Sequence, residues 1–391
     1  MHIPYARQSI SQDDIDAVIA TLHSDWLTQG PAVDRFEAAV TRYTGNRHAV
    51  AVCNATAALH LCCRAFNLGK GDLLWTTPNT FVASANCALY CGASVDFVDI
   101  DPVTYNLSLD SLKEKLTAAK KAKLLPKVVV PVAFGGQSCQ MREIKDLSLE
   151  YGFKIIEDAS HAIGGKYLNS PIGSGEFADL TVFSFHPVKI ITTGEGGMIL
   201  TRQPDLSEKI RLLRSHGITH DQKLMDTESP GAWYYQQVDL GYNYRITDIQ
   251  AALGESQLKR IDEFVNRRQV IAKRYDEAFK NLPISTPIQT PENLSAFHLY
   301  VIRIKSSESR KNRSQVFDEL KRNGIYPNVH YIPIHLQPYY AKMGFKPGDF
   351  PMAEKYYQEA LSLPMYYGLK DSEQDHVIET VTKIFKEEVR R

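Results

Sequence analysis

A carboxylate and a lysine each follow an apolar, strand-like run in this sequence. Asp158 comes after Phe153–Ile156 and its neighbour Glu157, and Lys189 comes shortly after Leu180–Phe185. Two adjacent strand ends would present the acid and the amine at one edge of a sheet. A pyridine aldehyde cofactor needs an acid that keeps its ring nitrogen protonated and an amine that forms an imine and then moves a proton. We therefore interpret Asp158 and Lys189 as a candidate pair for that chemistry.

Each of these residues also has a plain structural interpretation. Most lysines are solvated surface residues, a strand-end aspartate often caps the next turn, and Ser184 and His161 could simply be buried polar groups. The apolar neighbours Ile190 and Ile191 favour a desolvated Lys189, and desolvation lowers the pKa of an amine. The four residues together indicate this cofactor chemistry more specifically than any one of them does alone.

A second polar segment could hold a phosphate. The run Asn54-Ala55-Thr56-Ala57-Ala58 stands where a strand turns into a helix. Small residues let the backbone approach an anion, and a helix N-terminus offers free N–H groups. After the next strand, Phe81 could lie flat over an aromatic ring, although, taken alone, a phenylalanine at such a position is more often a core residue.

Short β-branched runs that alternate with helical stretches predict the elements that position these residues. Continuous apolar strands joined by helices favour an α/β fold whose mainly parallel sheet is covered on both faces, with ligands at the carboxyl ends of its strands. The predicted strands are His48–Val52, Leu73–Thr77, Ser94–Val98, Lys127–Val132, Phe153–Ile156, Leu180–Phe185 and Met198–Thr201.

The helical patterns at the two ends of the chain suggest two domains. Ser11 should cap a first helix whose apolar residues recur with helical spacing, and a second helix should follow Pro31. Thr247-x-x-Gln250 resembles a capping box that starts a long helical segment to about Lys280. We predict a large domain over residues 1–250 and a smaller α/β domain over 251–391. The latter should contain strands at 300–304 and 329–331, a helix near 314–323 and a final helix from 372.

The overall composition excludes several classes of partner. The 45 basic and 45 acidic side chains cancel, so no global field favours nucleic acid or an anionic membrane. The chain has no membrane-length apolar run and no signal-peptide pattern, and we expect it in the cytoplasm. Its six cysteines lack a C-x-x-C pair or a matched histidine spacing, which favours buried thiols over a disulfide framework or a metal site.

The motifs together resemble the DegT/StrS family of nucleotide-sugar aminotransferases, which share the fold type I architecture of pyridoxal-phosphate enzymes. The matching segments stand in order along most of the chain: L-T-Q-G-P at 27–31, N-A-T-A-A-L at 54–59, T-P-N-T-F-V-A-S-A-N at 77–86, E-D-A-S-H at 157–161, S-F-H-P-V-K at 184–189, G-E-G-G at 194–197 and G-Y-N-Y-R-I-T-D-I-Q-A-A-L at 241–253.

This resemblance implies roles for individual residues. Lys189 would bind pyridoxal 5'-phosphate as a Schiff base, and Asp158 would pair with the pyridine nitrogen. The other implied cofactor contacts are a ring-stacking Phe81, His161 near the phenolic oxygen, and the phosphate ligands Thr56, Ala57 and Ser184. Asn243 is similar to an asparagine that reaches the partner subunit's cofactor, so the resemblance also implies a homodimer with shared active sites.

Within the family, the closest likeness is to the branch that moves the amino group of L-glutamate to C4 of a UDP-4-keto-6-deoxy-N-acetylhexosamine in pseudaminic acid biosynthesis. D-A-S-H at 158–161 and V-H-Y-I-P-I at 329–334 carry this likeness. It implies sugar-nucleotide contacts by Tyr5, Trp26, Leu27, Thr28 and Tyr331. The residue before Trp26 and the one after Tyr331 depart from that branch's pattern.

Several alternatives stay open from the sequence. The acceptor could be another nucleotide-linked keto sugar, such as GDP-4-keto-6-deoxymannose, a UDP-4-keto-pentose or a dTDP-keto sugar. A dehydratase branch lacks the lysine that stands here at 189, and a non-catalytic regulator could use the same scaffold. A metallo-hydrolase built on His330 and His335 lacks a matching carboxylate motif. Arg245 is a guess for the residue that receives the glutamate carboxylate.

Overall fold

The computed structural model of the chain describes residues 2–305 and 307–386. Its strands, numbered in chain order, are β1 Ile3–Pro4, β2 His48–Val52, β3 Leu73–Thr76, β4 Ser94–Phe97, β5 Val128–Val130, β6 Lys154–Asp158, β7 Lys166–Tyr167, β8 Ser170–Pro171, β9 Leu180–Ser184, β10 Gly197–Thr201, β11 Ile218–Thr219, β12 Gln236–Gln237, β13 Ile284–Ser285, β14 Asn293–Leu294, β15 Tyr300–Ile304, β16 Ile325–Tyr326 and β17 Ala360–Leu363.

The α-helices of the same described ranges alternate with these strands. They are α1 Gln12–Leu22, α2 Pro31–Thr44, α3 Ala55–Ala65, α4 Ala83–Tyr90, α5 Leu109–Ala122, α6 Met141–Tyr151, α7 Pro204–Arg214, α8 Asp248–Leu258, α9 Ile261–Phe279, α10 Arg313–Arg322, α11 Pro338–Ala341, α12 Pro351–Glu359 and α13 Asp371–Lys386.

A seven-stranded sheet in the order β2-β10-β9-β6-β5-β3-β4 forms the centre of the molecule. The strands from β9 to β4 pair in parallel, and β10 runs antiparallel to both of its neighbours. Alternate residues of β2 enter two different hydrophobic cores: Val50 and Val52 on one face, Ala49 and Ala51 on the other. Burial on both faces explains the continuous apolar runs and confirms the predicted covered, mainly parallel sheet.

Local caps fix the helices that carry the ends of the chain. Ser11 caps α1 and Thr247 caps α8, as predicted, and each cap is a reciprocal capping box, which the sequence had indicated only for Thr247. The buried carboxylate of Asp248 accepts hydrogen bonds from the backbone N–H groups of Gly30 and Ala32 at 2.7 and 2.9 Å. These bonds satisfy free donors at the start of α2, so α8 and α2 are locked together at their ends.

A smaller three-stranded sheet, in the order β13-β15-β17, packs with α9, α10 and α13 around a separate core. The N-terminal strand β1 pairs in parallel with β16, which places the first residues of the chain against this C-terminal region. The predicted domain boundary at residue 250 remains a prediction. The N-terminal strand β1 belongs to the predicted large domain but pairs with β16 of the predicted small one.

Three details differ from the sequence-based expectations. The long helical segment after Thr247 is broken at residues 259–260 into α8 and α9. The predicted strand at 329–331 is absent from the described structure, where Asn328 forms only an isolated bridge to Ser362. The apolar residues of α1 point outwards, with Ile15 and Ile19 nearly half exposed and Asp14 fully buried. No helix in the described ranges has the length and apolar character that a bilayer crossing requires.

Candidate active site

Lys189 lies in the loop that follows β9, with its side chain half-buried. Its backbone N–H donates to the His186 carbonyl, and the fully buried Ile191 anchors the loop to the core. Burial lowers the pKa of the Lys189 amine to about 8, while the nearby Asp158 carboxylate acts in the opposite direction. Nothing in the described part of the chain hydrogen-bonds to Nζ, so the amine is free to react.

Asp158 ends β6 and is held by hydroxyl groups from two elements. Ser84 Oγ, on α4, donates to Oδ2 at 2.7 Å, and Ser160 donates to Oδ1 through Oγ at 2.6 Å and its backbone N–H at 3.2 Å. Thr80 Oγ1 lies 2.9 Å from Ser84 Oγ. Because an ionised carboxylate only accepts, the chain of donors runs from Thr80 through Ser84 to Asp158.

The neighbouring acid Glu157 faces the other side of the sheet and has a different environment. Its carboxyl accepts from the Thr181 hydroxyl at 3.1 Å, the only side-chain hydrogen bond recorded for it among the described residues. Burial raises the pKa of Glu157 to about 7, and the charge of Asp158 acts in the same direction. Of the two adjacent acids, only Asp158 is provided with the donors that stabilise a buried carboxylate.

Three buried histidines surround the amine of Lys189. Burial and the nearby Lys189 charge hold the pKa values of His161 and His298 well below the ordinary range and lower that of His330 to about 3. All three imidazoles are therefore neutral near physiological pH. His161 accepts from the Gly135 backbone N–H through Nδ1 at 3.3 Å, and its Nε2 lies 3.2 Å from the Tyr331 hydroxyl.

Two aromatic side chains predicted to meet ligands lie beside this cluster. The ring of Tyr331 stacks with that of His161 at 6.3 Å and lies 6.4 Å from the ring of Phe81. Phe81 is 58% exposed, which excludes the alternative that it is a core residue. Tyr5 reaches the same place because Met365 donates to its carbonyl and its ring lies 5.2 Å from that of His330.

The predicted phosphate segment forms the N-terminus of α3. Asn54 caps the helix by accepting from the Ala57 N–H at 2.8 Å, so this N–H is already engaged within the chain. The hydroxyls of Thr56 and Ser184 have no protein partner among the described residues. A Cβ atom at Gly197 would come within 2.7 Å of the Asn54 backbone, so only glycine lets β10 approach this turn so closely.

The remaining predicted contacts do not join the site within one chain. Trp26 and Leu27 are about half exposed, and Thr28 pairs with Thr247 in an isolated bridge. Asn243 is exposed and bridges to Ser215. No hydrogen bond, ion pair or ring contact of the described structure connects Trp26, Leu27, Thr28 or Asn243 to Lys189, Asp158 or His161.

Sequence reasoning missed several residues that complete the site. Ser84, Ser160, His298 and the buried Asn79, whose Oδ1 accepts from the Tyr331 N–H at 3.3 Å, were not assigned roles. For Ser84, a signal was available in the sequence: it stands four residues, about one helical turn, after Thr80, and both follow a strand end. His330 was considered only as a metal ligand, but it hydrogen-bonds to Ser362, whereas His335 pairs with Glu354.

These groups fit the cofactor that the sequence suggested. An unengaged amine and a satisfied carboxylate lie near each other, an exposed aromatic ring lies beside them, and hydroxyls accompany a helix N-terminus. Each is a partner that pyridoxal 5'-phosphate requires: an imine-forming lysine, a counter-charge for the ring nitrogen, a stacking surface and a phosphate cradle.

Comparisons with known proteins agree with this assignment. A family model described as the DegT/DnrJ/EryC1/StrS aminotransferase family matches residues 8–382. The spore coat polysaccharide biosynthesis protein SpsC of Bacillus subtilis is 41% identical over 98% of this chain and 97% of its own length. A UDP-4-amino-4,6-dideoxy-N-acetyl-beta-L-altrosamine transaminase of Campylobacter jejuni is 38% identical over 98% of both chains.

Solved structures give the same result. Helicobacter pylori PseC, an aminotransferase involved in the biosynthesis of pseudoaminic acid, superposes with a TM-score of 0.89 at 30% identity, covering 99% of this chain and 100% of that one. The PLP-form of Spr1654 from Streptococcus pneumoniae superposes with a TM-score of 0.87 at 30% identity, covering 99% of each chain. The predicted fold type I architecture is confirmed.

The lowered pKa of Lys189 makes cofactor capture pH-dependent. Only the neutral amine attacks an aldehyde, so the rate at which cofactor-free protein captures pyridoxal 5'-phosphate should rise with pH around a midpoint near pH 8 and then level off. Stopped-flow absorbance measures the rate, and borohydride reduction with peptide mapping identifies the modified lysine. A midpoint near that of ordinary lysines, or modification elsewhere than Lys189, would contradict the assignment.

Removing the Ser84 hydroxyl should destabilise the protein. Ser84→Ala leaves Oδ2 of the buried Asp158 without its donor, at a cost of about 1.5–3 kcal/mol for a hydrogen bond to a charged group. Ser148→Ala is the matched control, because this half-buried serine of α6 donates only to the Lys145 carbonyl of its own helix among the described residues. Equilibrium urea unfolding measures both, and equal midpoints for the two variants would show that the Ser84 bond contributes little.

Proposed function

The chain belongs to the DegT/DnrJ/EryC1/StrS aminotransferase family, and we propose that it moves the amino group of L-glutamate to the C4 ketone of a UDP-4-keto-6-deoxy-N-acetylhexosamine, as in pseudaminic acid biosynthesis. It is a pyridoxal 5'-phosphate-dependent aminotransferase. The observation that carries the proposed catalytic role is the unengaged, low-pKa amine of Lys189 beside Asp158.

Lys189 and Asp158 divide the catalytic work in this proposal. When bound, the cofactor supplies an electron sink for the carbanion that forms as a proton leaves the substrate. Lys189 has an amine that is neutral at mildly alkaline pH, so it carries that proton between the substrate carbon and the cofactor. Asp158 would pair with the ring nitrogen of the bound cofactor, and its three hydrogen-bond donors fix the carboxylate in place.

The other side chains would hold and orient the ligands. We assign Phe81 to stacking on the cofactor ring because it is the exposed aromatic residue beside Tyr331 and the histidine cluster. Thr56 and Ser184 would bind the phosphate through their unpaired hydroxyls. Ala57 would approach it only from the first turn of α3, because Asn54 already occupies its N–H.

The similarity to the Campylobacter jejuni transaminase and to PseC supports a UDP-linked 4-keto sugar. The identity to SpsC is slightly higher, at 41% against 38%, and this favours a second candidate. That candidate is an aminotransferase for another nucleotide-linked keto sugar, such as GDP-4-keto-6-deoxymannose, a UDP-4-keto-pentose or a dTDP-keto sugar. Tyr5 and Tyr331 would contact the sugar from within the chain.

A substrate panel distinguishes these candidates. Protein loaded with pyridoxal 5'-phosphate is incubated with L-glutamate and one of several UDP-, GDP- or dTDP-linked keto sugars, and 2-oxoglutarate is measured. We expect turnover with the UDP-4-keto-6-deoxy-N-acetylhexosamine, and none with protein in which Lys189 is replaced by alanine. Turnover with a different sugar alone would replace the proposed acceptor, and no product with any sugar would favour the non-catalytic regulator.

We further propose a homodimer in which each active site uses both chains. Trp26, Leu27 and Asn243 are exposed, and among the described residues no hydrogen bond, ion pair or ring contact joins them to the Lys189 cluster of their own chain. If they bind sugar nucleotide and cofactor phosphate as the family resemblance implies, they must do so from a second copy. Two-fold symmetry would then complete two equivalent sites in one dimer.

Mixing two inactive variants tests this arrangement. Lys189→Ala removes the catalytic amine, and Asn243→Asp places a negative charge where the partner's phosphate would bind. After unfolding and refolding together, mixed dimers should contain one intact site, which restores about a quarter of wild-type activity if mixing is random. The variants refolded separately are the controls. Absence of restored activity from a mixture that light scattering shows to be dimeric would contradict shared sites.

A further inference from the structure

The C-terminal ends of α3 and α4 bring together cysteines that the proposed reaction does not use. Helix α3 carries Cys63, α4 carries Cys87, and Cys91 is the C-terminal capping residue of α4. The Cys63 side chain is fully buried and forms hydrogen bonds with the thiols of both Cys87 and Cys91. All three cysteines are free. Sulfur atoms in such direct contact are placed for thiol–disulfide chemistry.

Cys91 is the member of this cluster that reaches solvent. Cys63 and Cys87 are fully buried, whereas Cys91 is half-buried. A Cβ atom at the following Gly92 would meet no other atom within 4 Å, so the space beside the end of α4 is open. A small reagent that approaches the cluster from solvent therefore meets the sulfur of Cys91 first.

The groups around Cys91 favour its thiolate form. A hydrogen bond from Cys63 lowers the pKa of the Cys91 thiol most, and contacts with His60 and Arg64 lower it further, while partial burial acts in the opposite direction. Cys63 keeps its proton, because hydrogen bonds to Cys87 and Cys91, together with burial, raise its pKa well above the ordinary value. A half-buried thiolate beside positive side chains is the kind of cysteine that acts as a nucleophile.

The remaining polar neighbours hold these positive side chains in place. The Tyr244 hydroxyl lies 3.2 Å from His60 Nδ1, and the Asp239 carboxylate lies 3.8 Å from the Arg64 guanidinium. Burial raises the pKa of Tyr244, and the nearby Cys91 acts in the same direction, so this hydroxyl stays protonated. The other titratable residues near the cluster are Cys53, Cys62, Tyr90 and Tyr242.

We propose that Cys91 and Cys63 form a redox modification site, in which Cys91 reacts with peroxide and Cys63 then closes a reversible disulfide between α3 and α4. Cys63 is the expected partner because it contacts Cys91 directly. The Cys87 thiol is engaged elsewhere, since it donates to the Ser84 carbonyl at 3.3 Å. The site uses none of the residues assigned to transamination, so it stands independently of the proposed function.

The chemistry needs no reagent other than the peroxide. The Cys91 thiolate forms a sulfur–oxygen bond as the O–O bond of hydrogen peroxide breaks, and the departing hydroxide takes up the proton that Cys91 had released. Cys63 then loses its proton and attacks the Cys91 sulfur, and the sulfur–oxygen bond breaks to release a second water. Two thiols lose two electrons in total, and one peroxide is reduced to two waters.

Limited alkylation of the loaded protein tests the reactivity of Cys91. Iodoacetamide is applied at about pH 6.5, where an ordinary thiol is only about 1% ionised, and peptide mapping measures the rate at each cysteine. Cys53 is the matched control in the same chain, because it is also half-buried but burial raises its pKa. We expect Cys91 to react at least about ten times faster than Cys53. Equal rates at the two cysteines would overturn the proposed nucleophile.

Peroxide treatment of the loaded protein tests the pairing. The wild-type protein should lose the mass of two hydrogens, and peptide mapping should find a disulfide between Cys63 and Cys91 that dithiothreitol reverses. In Cys63→Ser, oxidation should stop at a sulfenic acid on Cys91 that dimedone traps. Cys87→Ser, the same change at another buried thiol, is the matched control and should still form the disulfide.

The wild-type result decides the proposal even if a serine variant folds poorly. A wild-type protein that forms no disulfide, or one in which Cys91 pairs with Cys87, would show that Cys63 is not the partner. A sulfenic acid that persists on Cys91 in the wild-type protein would show the same. Oxidation that begins at Cys53 would contradict the assignment of Cys91.

Discussion

The buried carboxyl group of Asp158 is the constraint on which the candidate site depends. Burying such a group in its charged form is costly unless hydrogen bonds replace its lost water. Here the replacement comes from α4 through Ser84 and from the turn after β6 through Ser160. The start of α4 must therefore lie against the end of β6, two strands away in the sheet. Phe81, which precedes this helix, lies 6.4 Å from the ring of Tyr331.

The order of the strands joins the amine of Lys189 to the proposed phosphate cradle at the start of α3. The parallel pair β6 and β9 ends with Asp158 and Ser184 at one edge of the sheet, and the loop after β9 carries Lys189. The chain then returns antiparallel through β10, whose first residue, Gly197, packs directly on Asn54 at the start of α3. A single strand thus links the reactive amine to the helix terminus, and a larger residue at 197 would push the two apart.

The sequence was informative where a feature is local. The strands of the large sheet, the N-cap at Ser11, the capping box at Thr247 and the helix start at Asn54 depend on neighbouring residues, and each was predicted. Contacts between distant residues were not predictable. Ser84 and Asp158 are 74 positions apart, and His161 and Tyr331 are 170 apart, so neither spacing has a periodic signal. The missing strand at 329–331 has the same cause, because contacts to the loop between β3 and α4 and to β17 hold this segment.

Helix α1 illustrates why periodicity predicts an element better than its orientation. Its apolar stripe was recognised correctly, yet the side that packs on α8 is the polar one. The buried Asp14 accepts from Ser256, Gln257 and Arg260, and this network docks the helix. A helix held by its polar side leaves its apolar side, with Ile15 and Ile19, facing outwards, where exposure to water is unfavourable. A second chain that packed on this side would cover these residues, which is compatible with the homodimer proposed above for Trp26 and Asn243.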